Sequence, residues 1–123
     1  MRWGSCGAVL LVAAMATGCG GKPDGCVTIG EDVAQAVVNG STGDLQLEPA
    51  SGRAIRADSG VIYAAYRITA AGSDEVGVWA LDGFDPPGAI WSVDGYAQQF
   101  TKWPVLDGAN GSRNADDAKA CLD

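Results

Sequence analysis

Histidine is absent from the 123 residues, and that absence decides most of the available chemistry. It removes Ser-His-Asp and Cys-His catalysis, both of which need an imidazole base, and it removes the commonest metal ligand. Carboxylates are the only plentiful reactive groups left. Asp82 and Asp85 bracket the turn-rich loop 82–88, where two acids could in principle serve glycoside hydrolysis or hold calcium. Their spacing matches no calcium-loop pattern, however, and a domain of roughly a hundred residues offers little cleft. The expectation is therefore no catalytic residue, no metal and no cofactor, with solvated loop acids in these places. Recognition has better raw material. Phe84, Trp91, Tyr96 and Trp103 would make a binding surface if they were exposed together, because aromatic side chains are the usual anchors of interfaces; the competing reading of the tryptophans is core packing. Asn39-Gly40-Ser41 and Asn110-Gly111-Ser112 are formal glycosylation sequons, read here as turns because Asn-Gly is a favoured turn pair.

The opening residues carry a different kind of information. Arg2 precedes an apolar stretch over residues 8–16, which runs into Ala16-Thr17-Gly18-Cys19. A positive start, an apolar core of roughly ten residues and a small-residue exit are the parts of a secretory signal, and the core is well short of the roughly twenty residues that a spanning helix needs. The exit resembles the lipobox of bacterial lipoproteins, with Ala16 standing where leucine is more usual. That resemblance covers this segment alone. It implies that residues 1–18 are a lipoprotein signal peptide and that Cys19 becomes the lipidated first residue of the mature chain. The protein would then sit on the extracytoplasmic face of the cell membrane, held by its lipid anchor. The other reading of the same residues is a signal peptide cut after Ala14 or Ala16 without lipidation, leaving Cys19 as an unpaired thiol.

With Cys6 inside the signal peptide and Cys19 assigned to lipid, Cys26 and Cys121 remain of the four cysteines. In an oxidising compartment they are expected to pair. Such a bond would close a loop of about 95 residues, which in the chain-entropy description contributes on the order of 4 to 5 kcal/mol. Seven Lys and Arg against fifteen Asp and Glu follow residue 18. This acidic balance excludes nucleic acid as a partner and adhesion to anionic lipid by charge.

The elements that must position these residues follow from the punctuation. Residues 20–25 hold no apolar side chain and read as a short tether, so that residues 19–25 form the lipidated cysteine and tether and 26–123 a single domain. Thr28 and Glu31 fit a capping box for a helix over 29–39, which Gly40 would end in the left-handed conformation. Short strands are expected at 45–47 and 54–57 and a longer one at 61–69, where residues 62, 64, 66 and 68 share a face. Residues 71–74 connect it to an almost wholly apolar strand at 76–81, expected to be covered on both faces, and a third core strand follows at 89–93. Asp94-Gly95 admits either a hairpin or a helix capped by Asp94; the helix, over 96–103 and ended by Pro104, is preferred. A last helix over 115–122 carries Cys121.

This order describes an α+β domain, an antiparallel β meander of three to five strands with an N-terminal helix and one or two C-terminal helices packed on one face. The aromatic strands, the run from Ile90 to Ala97 and the final helix ending in cysteine resemble small uncharacterised exported proteins of high-GC bacteria, a resemblance that implies no activity. The functional expectation is a noncatalytic, membrane-anchored binding module for a protein or cell-wall partner. An inhibitor or immunity-type lipoprotein that blocks an enzyme or toxin is the alternative. Nothing in the sequence bears on oligomeric state.

Overall fold

One long hairpin is the platform on which every other element is laid. In the computed structural model, which describes residues 22–84 and 87–122, β4 (Ile62–Ala70) and β5 (Ser73–Leu81) pair antiparallel along their whole length, from Ile62 opposite Leu81 to Ala70 opposite Ser73. Only Ala71 and Gly72 lie between them, at φ 50° and 85°. Positive φ at both central positions gives the turn a twist that matches that of the strands. Pairing therefore continues right up to the turn, and β5 begins three residues earlier than the apolar run from Val76 suggests.

The rest of the sheet grows from the two edges of this hairpin. β6 (Ile90–Ser92) pairs with β5, and Ser92 is bridged on its far side to Val105. The outer edge of β4 is divided. β3 (Arg53–Arg56) occupies Ile62 to Ala65, and β2 (Leu45–Leu47) occupies Ile68 to Ala70. A 3-10 turn, Pro49–Ser51, joins them, placed there because Pro49 has no N–H to offer a ladder. Arg67 faces the gap and keeps both of its backbone bonds: its N–H donates to Ser51 Oγ at 2.9 Å, and its carbonyl accepts from Glu48 N at 3.0 Å. A side-chain hydroxyl thus takes the place of the missing strand as the partner of this N–H. β1 (Val27–Thr28) pairs with β3. The sheet is antiparallel throughout and has six strands, one more than the upper bound expected.

The α+β class holds, but the helices do not share one face. α1 (Glu31–Val38) seats Val33, Ala34 and Val37 on Ile62, Ala64, Tyr66 and Ile68, and α2 (Gly95–Phe100) adds Ala97 to the same cluster. α3 (Arg113–Ala120) lies across the sheet, with Ala115 and Ala118 against Tyr63, Ala65, Val78 and Ala80. The cause is in β4 and β5 themselves, which are apolar at odd and even positions alike, so a one-sided arrangement would leave Tyr63, Ala65, Val78 and Ala80 in water. At about 25 cal/mol per Å² of apolar surface, a second helical layer is the direct remedy. Trp79 is fully buried at the centre of the first cluster, edge-on to Tyr66 with ring centroids 6.1 Å apart.

Three expected helix ends are corrected. The capping box does not form: Thr28 is drawn into β1 opposite Arg53, Gly30 takes the N-cap position, and no side chain caps α1. Gly40 does not adopt a left-handed conformation. Its lack of a side chain serves packing instead, because a Cβ there would lie 2.4 Å from Trp103 Cε2. Further on, α2 stops at Phe100 rather than at Trp103, since Thr101 turns to extended geometry and its side chain enters the core. Cys26 and Cys121 lie at disulfide distance, Cα to Cα 5.7 Å, and tie the start of β1 to the end of α3. Among the described residues, no helix is long and apolar enough to cross a membrane.

Candidate functional site

Among the described residues, Asp94 is the one carboxylate that the fold buries. It follows β6 and precedes α2, is 4% exposed, and accepts from Ala97 N through Oδ1 at 2.9 Å. This is the N-cap arrangement, in which the side chain satisfies an amide that the first turn leaves unbonded. Burial pushes its pKa above the ordinary carboxylate value, against the opposing pull of the Ala97 and Val78 amides and the charge of Lys119.

Beside it lies a polar knot. Trp79 Nε1 donates to Thr101 Oγ1 at 3.1 Å, the Thr101 hydroxyl donates to the Ala97 carbonyl, and the Ser92 hydroxyl donates to the Trp103 carbonyl at 2.8 Å. Ser92 and Thr101 are both buried. Their hydroxyls are consumed in holding α2 and the segment after it against β5 and β6, and among the described residues their hydrogen-bond partners are each other, Trp79 Nε1 and backbone carbonyls, with no side-chain base.

Outside this knot, an open depression of about 510 Å³ lies over the turn end of the β4–β5 hairpin, bordered on one side by Lys119 of α3. Ile68 and Val76 contribute its apolar part. Glu48, Asp74, Glu75 and Asp94 bring carboxylates to it, and Arg67 and Lys119 bring positive charge. Arg67 is partly engaged, since Nη2 donates to the Leu122 carbonyl at 2.8 Å. Tyr96 stands at the rim, 38% exposed, and a hydrogen bond to Glu75 together with that carboxylate's charge holds its hydroxyl above the usual tyrosine range. The surplus of acid, an apolar floor and one aromatic suit a ligand that offers positive charge beside a flat or apolar surface.

The four aromatics singled out in the sequence are not brought together. Phe84 and Trp103 pack on the cluster beneath α1, Trp91 on the cluster beneath α3, and Tyr96 alone reaches the depression. Trp103 is engaged on both sides: its Nε1 donates to the Val37 carbonyl at 2.9 Å and its ring covers Gly40. Asp82 spends Oδ1 on the Gly88 and Ala89 amides, each at 2.9 Å, pinning the ends of the loop that contains Asp85. Asp85 and Cys19 lie outside the described residues. The depression itself was missed because its charged residues come from five separate segments, and only the fold assembles them. No protein-family model matches the chain, and comparison with curated proteins and with solved structures gives no match in either case.

Proposed function

We propose that the chain is the precursor of a noncatalytic lipoprotein, anchored through Cys19 on the extracytoplasmic face of the membrane, whose stapled domain binds a protein or cell-wall component. One observation carries this reading: Cys26 and Cys121 lie at disulfide distance, and structural disulfides persist in oxidising compartments and are rare in the cytosol. That pairing agrees with the assignment of Cys19 to lipid. The tether over 20–25 spans at most roughly 20 Å when extended, so an anchored domain works close to the bilayer. Binding rather than catalysis is supported by how the polar groups are used. Asp82 and Asp94 are spent on backbone amides, and Ser92 and Thr101 on buried bonds.

The depression rimmed by Tyr96 is the contact surface of this reading. Its acid surplus also favours a second one, an inhibitor or immunity-type lipoprotein that blocks a basic enzyme or toxin. Salt separates the two, because charge-steered blocking is screened while an aromatic-anchored contact persists.

Exchange of Cys19→Ser is expected to move the protein from the membrane fraction to the soluble one, with loss of the lipid mass carried by the native chain. Membrane retention of the variant, and no lipid on the native chain, would refute the anchor. Enzyme-like turnover of a peptidase, esterase or glycosidase substrate by the purified protein would refute the binding role.

A further inference from the structure

Two Asn-Gly pairs stand in the chain, Asn39-Gly40 and Asn110-Gly111, and the fold treats them oppositely. An asparagine followed by glycine is set up for an intramolecular reaction, because no side chain shields the glycine's backbone nitrogen from the asparagine's Cγ. Ring closure needs a side chain free to swing and a glycine amide free of other bonds.

Asn39-Gly40 is held at each of these points. Asn39 ends α1 in helical geometry, φ −59° and ψ −18°, and its Oδ1 accepts from Gln35 Nε2 at 3.0 Å. The Gly40 N–H donates to the Val37 carbonyl at 3.1 Å, the Gly40 carbonyl accepts from Lys102 N at 2.8 Å, and the Trp103 ring closes over the glycine. Asn110 and Gly111, by contrast, are both exposed. They are the two central residues of a turn closed by the bond from Ser112 N to Ala109 O, which directly follows a turn closed by Ala109 N to Leu106 O. Gly111 is at φ 77°. Among the described residues, no hydrogen bond engages the Asn110 side chain or the Gly111 N–H.

We infer that Asn110 is a modification site that converts spontaneously, by deamidation, to a mixture of aspartate and isoaspartate. Solvent base takes the Gly111 amide proton, and the nitrogen attacks Asn110 Cγ. The new N–Cγ bond forms as the Cγ–Nδ2 bond breaks, and the departing nitrogen takes a proton from water and leaves as ammonia. Water then opens the resulting succinimide at either carbonyl. The balance is one water consumed and one ammonia released, with no oxidant or reductant. Both products place a new carboxylate two residues before Ser112, whose hydroxyl accepts from Ala115 N at the start of α3, an end where negative charge is favourable. Isoaspartate also adds a methylene to the backbone of the loop that seats α3.

The test is to incubate the purified, oxidised full chain in mildly alkaline buffer, digest samples with trypsin and follow the peptides by chromatography and mass spectrometry. Cleavage after Lys102 and Arg113 isolates residues 103–113, in which Asn110 is the only side-chain amide. That peptide is expected to give two separately eluting products with the mass gain of amide-to-acid conversion. The peptide carrying Asn39 should convert roughly tenfold more slowly or less, because its site must first open locally. In denaturant with reductant the two rates should converge. Equal rates at the two sites in the folded protein, or an Asn110 that outlasts Asn39, would overturn the assignment.

Discussion

Asp94 and Tyr66 show how much a single buried polar group can decide, and in opposite directions. Asp94 caps α2, so replacing it with alanine strands the buried Ala97 N–H and is expected to cost about 1 to 2 kcal/mol. Asparagine keeps an accepting oxygen in the same place and removes the charge. Because burial raises the Asp94 pKa in the folded state, the native protein holds a proton that the unfolded chain has already lost. Asp94 therefore favours folding at acid pH, and that contribution falls as pH rises from the ordinary carboxylate value through the raised one. Asp94→Asn should flatten this part of the stability profile; a melting-temperature difference from wild type that stays constant with pH would contradict the assignment. Tyr66 is the converse case. Its ring fills the core beside Trp79, but its hydroxyl is fully buried with no hydrogen-bond partner among the described residues, and burial drives its pKa well above the usual range. Tyr66→Phe removes an unpaid desolvation and should stabilise by roughly 1 kcal/mol in a denaturant titration. Asp94 was legible in the sequence as an acid just ahead of good helix formers. The isolation of the Tyr66 hydroxyl was not, because partners across a sheet do not follow from the local pattern.

At the scale of elements, the strands were the readable part, and of the helix ends only the Asp94 cap of α2 was equally so. β4, β5 and β6 are marked by β-branched and aromatic runs, and each falls within a few residues of its expected position. The caps went wrong where a long-range partner outbid a local one. Thr28 pairs with Arg53 instead of capping α1, and Gly40 yields to the Trp103 ring instead of turning the chain. Two glycine substitutions separate these roles. Gly40→Ala forces a methyl into the Trp103 indole and should destabilise by about 1 to 3 kcal/mol, with a red shift in tryptophan emission. Gly95→Ala, at the first position of α2 with nothing within 4 Å of the added Cβ, should be neutral or stabilise by up to about 1 kcal/mol. Equal losses from both, measured by thermal melts, would show that the Gly40 contact carries no special weight.

Across the whole molecule, the sheet's two apolar faces and the staple at its margin answer the same shortage of core. A domain of this size buries a modest fraction of its surface, and typical net stability is only about 5 to 15 kcal/mol. The hydrophobic pattern of β5 announced a strand covered on both sides, yet the helix with the weaker apolar signature, α3, shows only alanines to the sheet, so its placement could not be read from amphipathicity. Cys121 compensates: it is fully buried at the end of α3, and Cys26 holds it across a sequence separation of 95. Opening that link frees a loop which in the chain-entropy description stabilises the fold by on the order of 4 to 5 kcal/mol, a large share of the total. Joint replacement of Cys26 and Cys121 by serine should therefore lower the denaturant midpoint steeply and raise the slope of the transition, because the unlinked unfolded chain exposes more surface. Hydrogen exchange locates the effect. α3 and β1 should lose protection first and the β4–β5 hairpin last, since the hairpin is held by its own ladder and by α1. Uniform loss of protection across all these elements would instead mean that the staple acts only through the unfolded state, and that α3 needs no tether to stay on the sheet.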